Sequence, residues 1–313
     1  MKLHTFQYNH QAGWTINQFP DLDSANTLIL IFAAPEYINS PEPIHELARH
    51  YPNSKIMGCS SAGEIVGPYI ADHSLSVAVI KFEKTSIKLA TVKMDTSKDS
   101  FFYGEHLAKE LDQKDLRGIF VLSEGLKING SELVKGLNTV ESENVVITGG
   151  VAGDASDFKQ TWTILNGKIT TENIVAVGFY GDCIHLTYGS RGGWDIFGPE
   201  RRVTRSKDNI LYELDGQPAL NLYKKYLGEK AAGLPATNQH WGDIPTLIIA
   251  ISCVGRRLLL GERTEEETEL TLEAFPQNTQ QIGFYSYGEL SPNMFNNCEL
   301  HNQTMTLTGI SEG

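Results

Sequence analysis

Apolar residues along this chain fall in short unbroken runs more than in alternation. Leu28-Ile-Leu-Ile-Phe32 is the first. A run of that length between polar stretches predicts a strand buried on both faces. Behind it, Ile44, Leu47 and Ala48 fall at helical spacing. Lys55-Ile-Met57 then leads into Gly58-Cys-Ser-Ser-Ala-Gly63-Glu64-Ile65, and Leu75 to Phe82 predicts a further strand. The same order returns about 90 residues later. Gly118 to Leu122 is the strand, Leu133 to Leu137 the helix, and Val145-Val-Ile147 runs into Thr148-Gly-Gly-Val-Ala-Gly153-Asp154 before the strand Ile174 to Phe179. A third copy has Leu247 to Ile251 as its strand. It continues through an acidic helix, Thr264 to Ala274, with Thr264 as N-cap. Gln281-Ile282 enters Gly283-Phe-Tyr-Ser-Tyr-Gly288-Glu289-Leu290, and Thr304 to Leu307 closes the unit.

Each unit reads strand, helix, strand, glycine turn, strand. A helical crossover implies parallel neighbours, with the last strand free to pair antiparallel. The expected fold class is α/β, with repeated strand-helix-strand-strand units forming mixed sheets in two domains. Between the second and third copies the texture changes. His185 to Tyr188 reads as a strand, Gly189 to Trp194 as a loop, and Ile210 to Gly216 as a strand ending in a turn. Pro218 to Leu227 reads as a helix stopped by Gly228. The expected domains are residues 1–190 and 191–313.

Composition narrows the function. The 313 residues carry a formal net charge of −12, which argues against nucleic-acid binding and against docking on anionic lipid. Met1 to Asn9 contains no apolar run of a secretory signal, and no run approaches the length needed to span a bilayer. Cys59, Cys183, Cys253 and Cys298 form no C-x-x-C pair and are read as reduced thiols of a cytoplasmic protein. No H-E-x-x-H or P-loop is present, and the serines of the first glycine turn have no partner histidine or carboxylate named by the sequence, so the expectation is a protein without catalysis of its own.

Several segments together carry a resemblance. Gly58-Cys-Ser-Ser-Ala-Gly-Glu64 resembles the signature of the FIST N-terminal domain. Glu213-Leu-Asp-Gly-Gln-Pro-Ala219, Ser252-Cys-Val-Gly-Arg256, Gly283-Phe-Tyr-Ser-Tyr-Gly-Glu289 and Cys298-Glu-Leu-His-Asn-Gln-Thr304 resemble the FIST C-terminal domain. The resemblance implies a sensory input module of bacterial signal transduction that binds a small ligand, with amino acids among the proposed ligands. One similar branch of the family binds haem, senses nitric oxide and controls a separately encoded histidine kinase. Haem-based nitric oxide sensing is therefore the leading specific expectation. A metal-free receptor for a small organic ligand such as an amino acid is the alternative. The stretch Gly228 to Thr246 is shorter than the family's usual one.

His301 is the first candidate for an iron ligand. It stands at the start of the last strand, and neutral imidazole is a common ligand of haem iron. The plainer reading is a histidine that fixes this strand by hydrogen bonds. Cys298, three residues earlier, is a second candidate or a small buried thiol. His185 and His240 are weaker ones. Arg201, Arg202, Arg205 and Lys207 form a basic cluster downstream of Arg191 and Trp194. Arg201, Arg202 and Trp194 are candidates for holding haem with its propionates, or a ligand carboxylate. Arg256 and Arg257 raise the same question. Cys59, Ser60, Glu64, Tyr285, Glu289 and Asn302 are the candidate pocket residues. Glu64, Asp154 and Glu289 follow the glycine turns and either cap nearby N–H groups or face a cleft.

Overall fold

A computed structural model describes residues 1–95, 98–192, 201–207, 210–218, 244–293 and 296–313. The described residues of 1–193 and 242–313 form one compact unit and those of 194–241 a second.

The larger unit holds the three copies. The first has β1 (Lys2–Asn9), the short β2 (Gly13–Trp14) and β3 (Thr27–Ala33). The helix Glu42–His50, β4 (Lys55–Ser60), the hairpin β5 (Glu64–Val66) and β6 (Tyr69–Ala71), and β7 (Ser74–Lys81) follow. The second has β8 (Ser86–Lys93), the helix Ser100–Leu111, β9 (Leu116–Ser123), the helix Gly130–Leu137 and β10 (Val146–Val151). The hairpin β11 (Thr163–Leu165) and β12 (Lys168–Thr170), then β13 (Asn173–Tyr180), complete it. The third opens with β14 (Ile184–Gly192), which runs through the loop expected from Gly189. After the smaller unit, with β15 (Val203–Lys207), β16 (Ile210–Leu214) and β17 (Gln217–Pro218), it resumes at β18 (Thr246–Cys253). The helices Val254–Leu260 and Thr264–Glu273 come next. β19 (Thr279–Ser286), the hairpin β20 (Gly288–Pro292) and β21 (Cys298–His301), and β22 (Thr304–Glu312) finish the chain.

In every copy the first two core strands pair parallel across a helical crossover, as in β3–β4, β9–β10 and β18–β19. The closing strand pairs antiparallel with the first, as in β3–β7, β9–β13 and β18–β22. A leading strand then extends the sheet beyond the closing one, in β1–β7, β8–β13 and β14–β22.

The hairpin after each glycine turn does not return to its own sheet. The first copy's β5 joins β19 of the third, the second copy's β11 joins β4 of the first, and the third copy's β20 joins β10 of the second. The exchange is cyclic. It satisfies the outer N–H and C=O groups of β4, β10 and β19, which would otherwise form open edges.

Strand alternation explains the unbroken apolar runs. Leu28, Leu30 and Phe32 face a central core shared with Phe120, Leu122, Leu247, Ile249, Ile251 and Phe284, so the three sheets meet there. Ile29 and Ile31 face the opposite side with Ile44 and Leu47 of the first helix. Ile119 and Val121 likewise pack with Leu107 and Leu133 of the second copy's helices. In each copy a glycine lets the second core strand approach the first. A Cβ on Gly58, Gly149 or Gly283 would lie 2.1, 1.9 or 1.8 Å from the carbonyl oxygens of Ile31, Val121 and Ala250.

The acidic helix starts one residue earlier than a cap at Thr264 implies. Arg263 holds the cap position, and the Thr264 hydroxyl donates back to the Gly261 carbonyl instead of capping. In the smaller unit, β15, β16 and β17 form a three-stranded sheet. The helix expected after Pro218, and the short stretch after Gly228 as far as residue 243, lie outside the described residues. Among the described residues no helix is long and apolar enough to cross a membrane.

Candidate functional site

The three glycine turns meet and are tied by backbone hydrogen bonds. Ala62 N–H donates to the Tyr285 carbonyl (2.8 Å), Gly153 N–H to that of Ser60 (3.1 Å), and Tyr287 N–H to that of Val151 (3.3 Å). Beside this junction, at the C-terminal ends of the parallel strands, a cleft of about 970 Å³ opens within the larger unit. α/β proteins place ligands at such strand ends. The first copy supplies residues 34–36, 38–39, 61–64, 70 and 72–73 to its lining, the second residues 154–157 and 159–160, and the third Val254, Arg257, Leu258, Gly261, Thr264 and Glu265.

Glu64 is buried at the floor. Its Oε2 accepts from the N–H (3.1 Å) and hydroxyl (2.7 Å) of Ser74, at the start of β7, and the Ser61 hydroxyl donates to Oε1. Burial outweighs these bonds and pushes its pKa up to about 8. Glu289 repeats the design in the third copy. Ser286 Oγ donates to it at 2.7 Å, and burial raises it to about 8 as well. Both readings of the turn acids therefore hold for Glu64, which staples the strand start and also lines the cleft.

Asp154 shapes one wall. Its two oxygens accept from the N–H groups of Phe158 (2.9 Å), Lys159 (2.6 Å) and Gln160 (2.7 Å), and the Tyr287 hydroxyl donates to it too. The Phe158 ring, 60% exposed, stacks on Tyr287 at 4.5 Å.

Arg257 forms the opposite wall. Its guanidinium donates to the Ala62 carbonyl (2.6 Å) and, through both terminal nitrogens, to Asp72 (2.7 Å each), and it lies over the Tyr285 ring at 5.4 Å. Arg257 holds the Asp72 carboxyl below its ordinary range, chiefly by these hydrogen bonds. Gly63, at φ +133°, leaves room for this contact, since a Cβ there would meet Arg257 Nη1 at 2.3 Å. His73 Nδ1–H donates to Glu36 Oε1 at 2.6 Å, and that bond raises its pKa.

The sequence candidates separate. Glu64 lines the cleft. Cys59 and Ser60 are buried beneath it in β4. The Cys59 thiol is pushed well up by burial, and Ser60 Oγ accepts from Trp162 N–H at 3.1 Å. Tyr285 is buried under Arg257, and Glu289 belongs to the neighbouring turn. Asn302 is exposed in the turn between β21 and β22. Cys298 and His301 lie on β21, at the edge of the second copy's sheet. Cys298 N–H and C=O bond the Asn138 side chain (3.2 and 2.9 Å), and its buried thiol is raised far above its ordinary value. His301 Nε2 sits 3.1 Å from the Ser291 carbonyl. Arg201 and Arg202 belong to the smaller unit, where the Arg201 side chain pairs with Asp215 at 2.9 Å and the Arg202 N–H donates to it at 3.0 Å. His185 is exposed on β14, and Trp194 and His240 lie outside the described residues.

Among the described residues, His301 and Cys298 do not fit a haem site at this cleft. Haem needs an axial ligand facing a slot for the macrocycle. Neither His301 nor Cys298 lines the cleft, and a neutral buried thiol is not a thiolate ligand. Among the described residues no group of three or more His, Cys, Asp or Glu side chains is placed to hold a metal ion. Asp72, His73, Glu36 and the loop after Asp154 are cleft residues that no sequence pattern singles out. Arg257 stood out only as a basic residue closing a strand.

The fold and its cleft are those of an α/β ligand-binding module. The FIST N domain matches residues 27–217 and the FIST C domain residues 236–292, and the chain belongs to the FIST family. FIST domains are sensory domains of signal transduction that bind small ligands. The uncharacterized protein MJ1623 of Methanocaldococcus jannaschii is 26% identical over 228 residues, which is 66% of this chain and 41% of that protein. The chain thus spans less than half the length of this curated relative. Among solved structures, the cyanuric acid hydrolase from A. caulinodans is similar at 8% identity with a TM-score of 0.43, covering 99% of this chain and 98% of that one. A second cyanuric acid hydrolase structure gives 8% and 0.44, covering 99% of each chain.

Proposed function

We propose that this chain is a metal-free sensory receptor whose cleft, between the first glycine turn, the loop 154–160 and the helix Val254–Leu260, binds a small organic ligand. The observation that carries this reading is the cleft itself, which takes walls from all three copies beside the junction of their turns. A volume of about 970 Å³ suits a small molecule, and a few placed polar groups among apolar ones are what such sites use. Because the walls belong to different copies, a ligand that touches them all has differential contacts with any state in which they shift. The receptor passes its signal to a separate partner, with a histidine kinase as the first candidate, and works in the cytoplasm, in keeping with its four free thiols. It has no chemistry of its own. In support, the Ser60 and Ser61 hydroxyls are engaged with Trp162 and Glu64, not with a histidine.

The test is a thermal-shift panel of amino acids, amines, carboxylates and sugars on the wild type and on Ser156→Trp, which fills the cleft from its exposed rim. A saturable shift in the wild type that the variant lacks supports the reading. Haem-based nitric oxide sensing is tested beside it by titration with haemin. A saturable Soret band that His301→Ala alters overturns the metal-free reading.

A further inference from the structure

The charges of the cleft are already paired in one direction. Each of its three basic side chains is bonded to a carboxylate of the same cleft: His73 to Glu36 at 2.6 Å, Lys159 to Asp157 at 3.0 Å, and Arg257 to Asp72 at 2.7 Å. A ligand carboxylate or phosphate entering here meets no unpaired cation among the described residues, and would have to break one of these pairs.

The carboxylates are in excess. Glu36, Asp72, Asp154, Asp157 and Glu265 line the cleft against these three basic side chains, and Glu64, whose carboxyl burial keeps protonated, lies at the floor. Glu64 is bonded to hydroxyls and an N–H, and Asp154 is filled by its three N–H groups and Tyr287. Glu265 is different. It is exposed at the first turn of the acidic helix and its side chain has no partner among the described residues. The pairs at Glu36 and Asp157 are solvent-facing, so their carboxylates can accept a further donor. Between these acids the lining is aliphatic, from Ala34, Pro35, Ile38, Ile70, Val254 and Leu258.

We propose that the cleft takes an organic cation of the aliphatic polyamine class, with ammonium groups separated by methylene chains. The inference rests on reading the cleft as the ligand site. The ammonium ends answer Glu265 and the outer carboxylates, and the methylenes lie on the aliphatic lining. Lost apolar hydration and charge pairing then act together along one extended molecule.

The probes are spermidine and putrescine, with succinate, 1,4-butanediol and leucine as comparators, titrated by calorimetry at low and at physiological salt. An acidic protein attracts polyamines loosely, so stoichiometry and site dependence decide. The expected result is one saturable spermidine site that weakens about tenfold in Glu265→Gln. It is unchanged in Glu143→Gln, an exposed acid before the N-terminal end of β10. Spermidine binding that is non-saturable, or equal in wild type and Glu265→Gln, overturns the proposal. Binding of succinate, butanediol or leucine that Ser156→Trp abolishes, with no spermidine site, overturns the ligand class and leaves the cleft as the site. Saturable ligand binding that survives Ser156→Trp overturns the cleft reading itself.

Discussion

Arg257 and Asp72, 185 residues apart in the chain, meet through two N–H···O bonds of 2.7 Å. One stands on a helix of the third copy and the other on the turn between β6 and β7 of the first. The same guanidinium holds the Ala62 carbonyl of the glycine turn. Arg257→Ala removes all three bonds. Asp72 is half exposed, so its part of the pair is discounted for screening. The expected loss is about 2 kcal/mol, most of it from the carbonyl left without its donor. Urea denaturation measures it, and Arg257→Lys, which keeps the charge but not the fork, should recover less than half.

Asp154 organises its loop with one side chain, accepting from three consecutive N–H groups at Phe158, Lys159 and Gln160. Asp154→Ala leaves them to solvent and releases the Tyr287 hydroxyl. Amide exchange at these three positions should rise by orders of magnitude, while the amides of β10, held by its sheet, stay protected. Equal exchange in variant and wild type would show that the loop is held by other contacts.

The repeats are legible in the sequence for a physical reason. A parallel strand covered on both faces must be apolar at every position, so Leu28 to Phe32, Gly118 to Leu122 and Leu247 to Ile251 stand out. The glycines that follow mark places where no Cβ fits. The cyclic exchange is not legible, because β5 beside β19 is a choice of partner made by backbone groups that every residue carries. Cys59 and Tyr285 sit in the glycine motifs, yet strand alternation turns their side chains into the core. Arg257 and Asp72 lie on segments that only the meeting of the first and third copies brings together. Glu64 was legible, since its place after the turn fixes both its staple to Ser74 and its view of the cleft.

Glu312, at the end of β22, accepts from the N–H groups of Glu83, Lys84 and Thr85 at 2.7–2.8 Å. Burial alone would raise its pKa, but these donors more than reverse it and bring it to about 2, from an ordinary 4.5. The folded carboxyl is more acidic than the unfolded one, so its contribution is full above about pH 4.5 and is lost as pH falls toward 2. The shift corresponds to about 3 kcal/mol. Glu312→Gln should lose that amount at pH 7 and show a shallower acid limb in denaturant melts from pH 7 to 3.

Glu64 and Glu289 act in the opposite sense. Each is buried at the same place in its copy, and burial lifts each from 4.5 to about 8 against the opposing bonds of Ser61 and Ser74, or of Ser286. Unfolded chains release these protons near pH 4.5 and folded ones near 8, so the folded state binds more protons between those values. Stability contributed by the pair is therefore complete below pH 4.5, falls as pH rises through that window, and is flat above about 8. Each group adds up to about 1.4 kcal/mol per pH unit to the slope. Glu64→Gln with Glu289→Gln replaces two neutral acids by neutral amides of the same shape. The double variant should match the wild type near pH 4 and exceed it by several kcal/mol at pH 8.5. Urea melts across that range measure the difference curve. A curve that stays level would mean that both carboxyls are ionised in the folded protein, and the floor of the cleft would then carry charge at neutral pH.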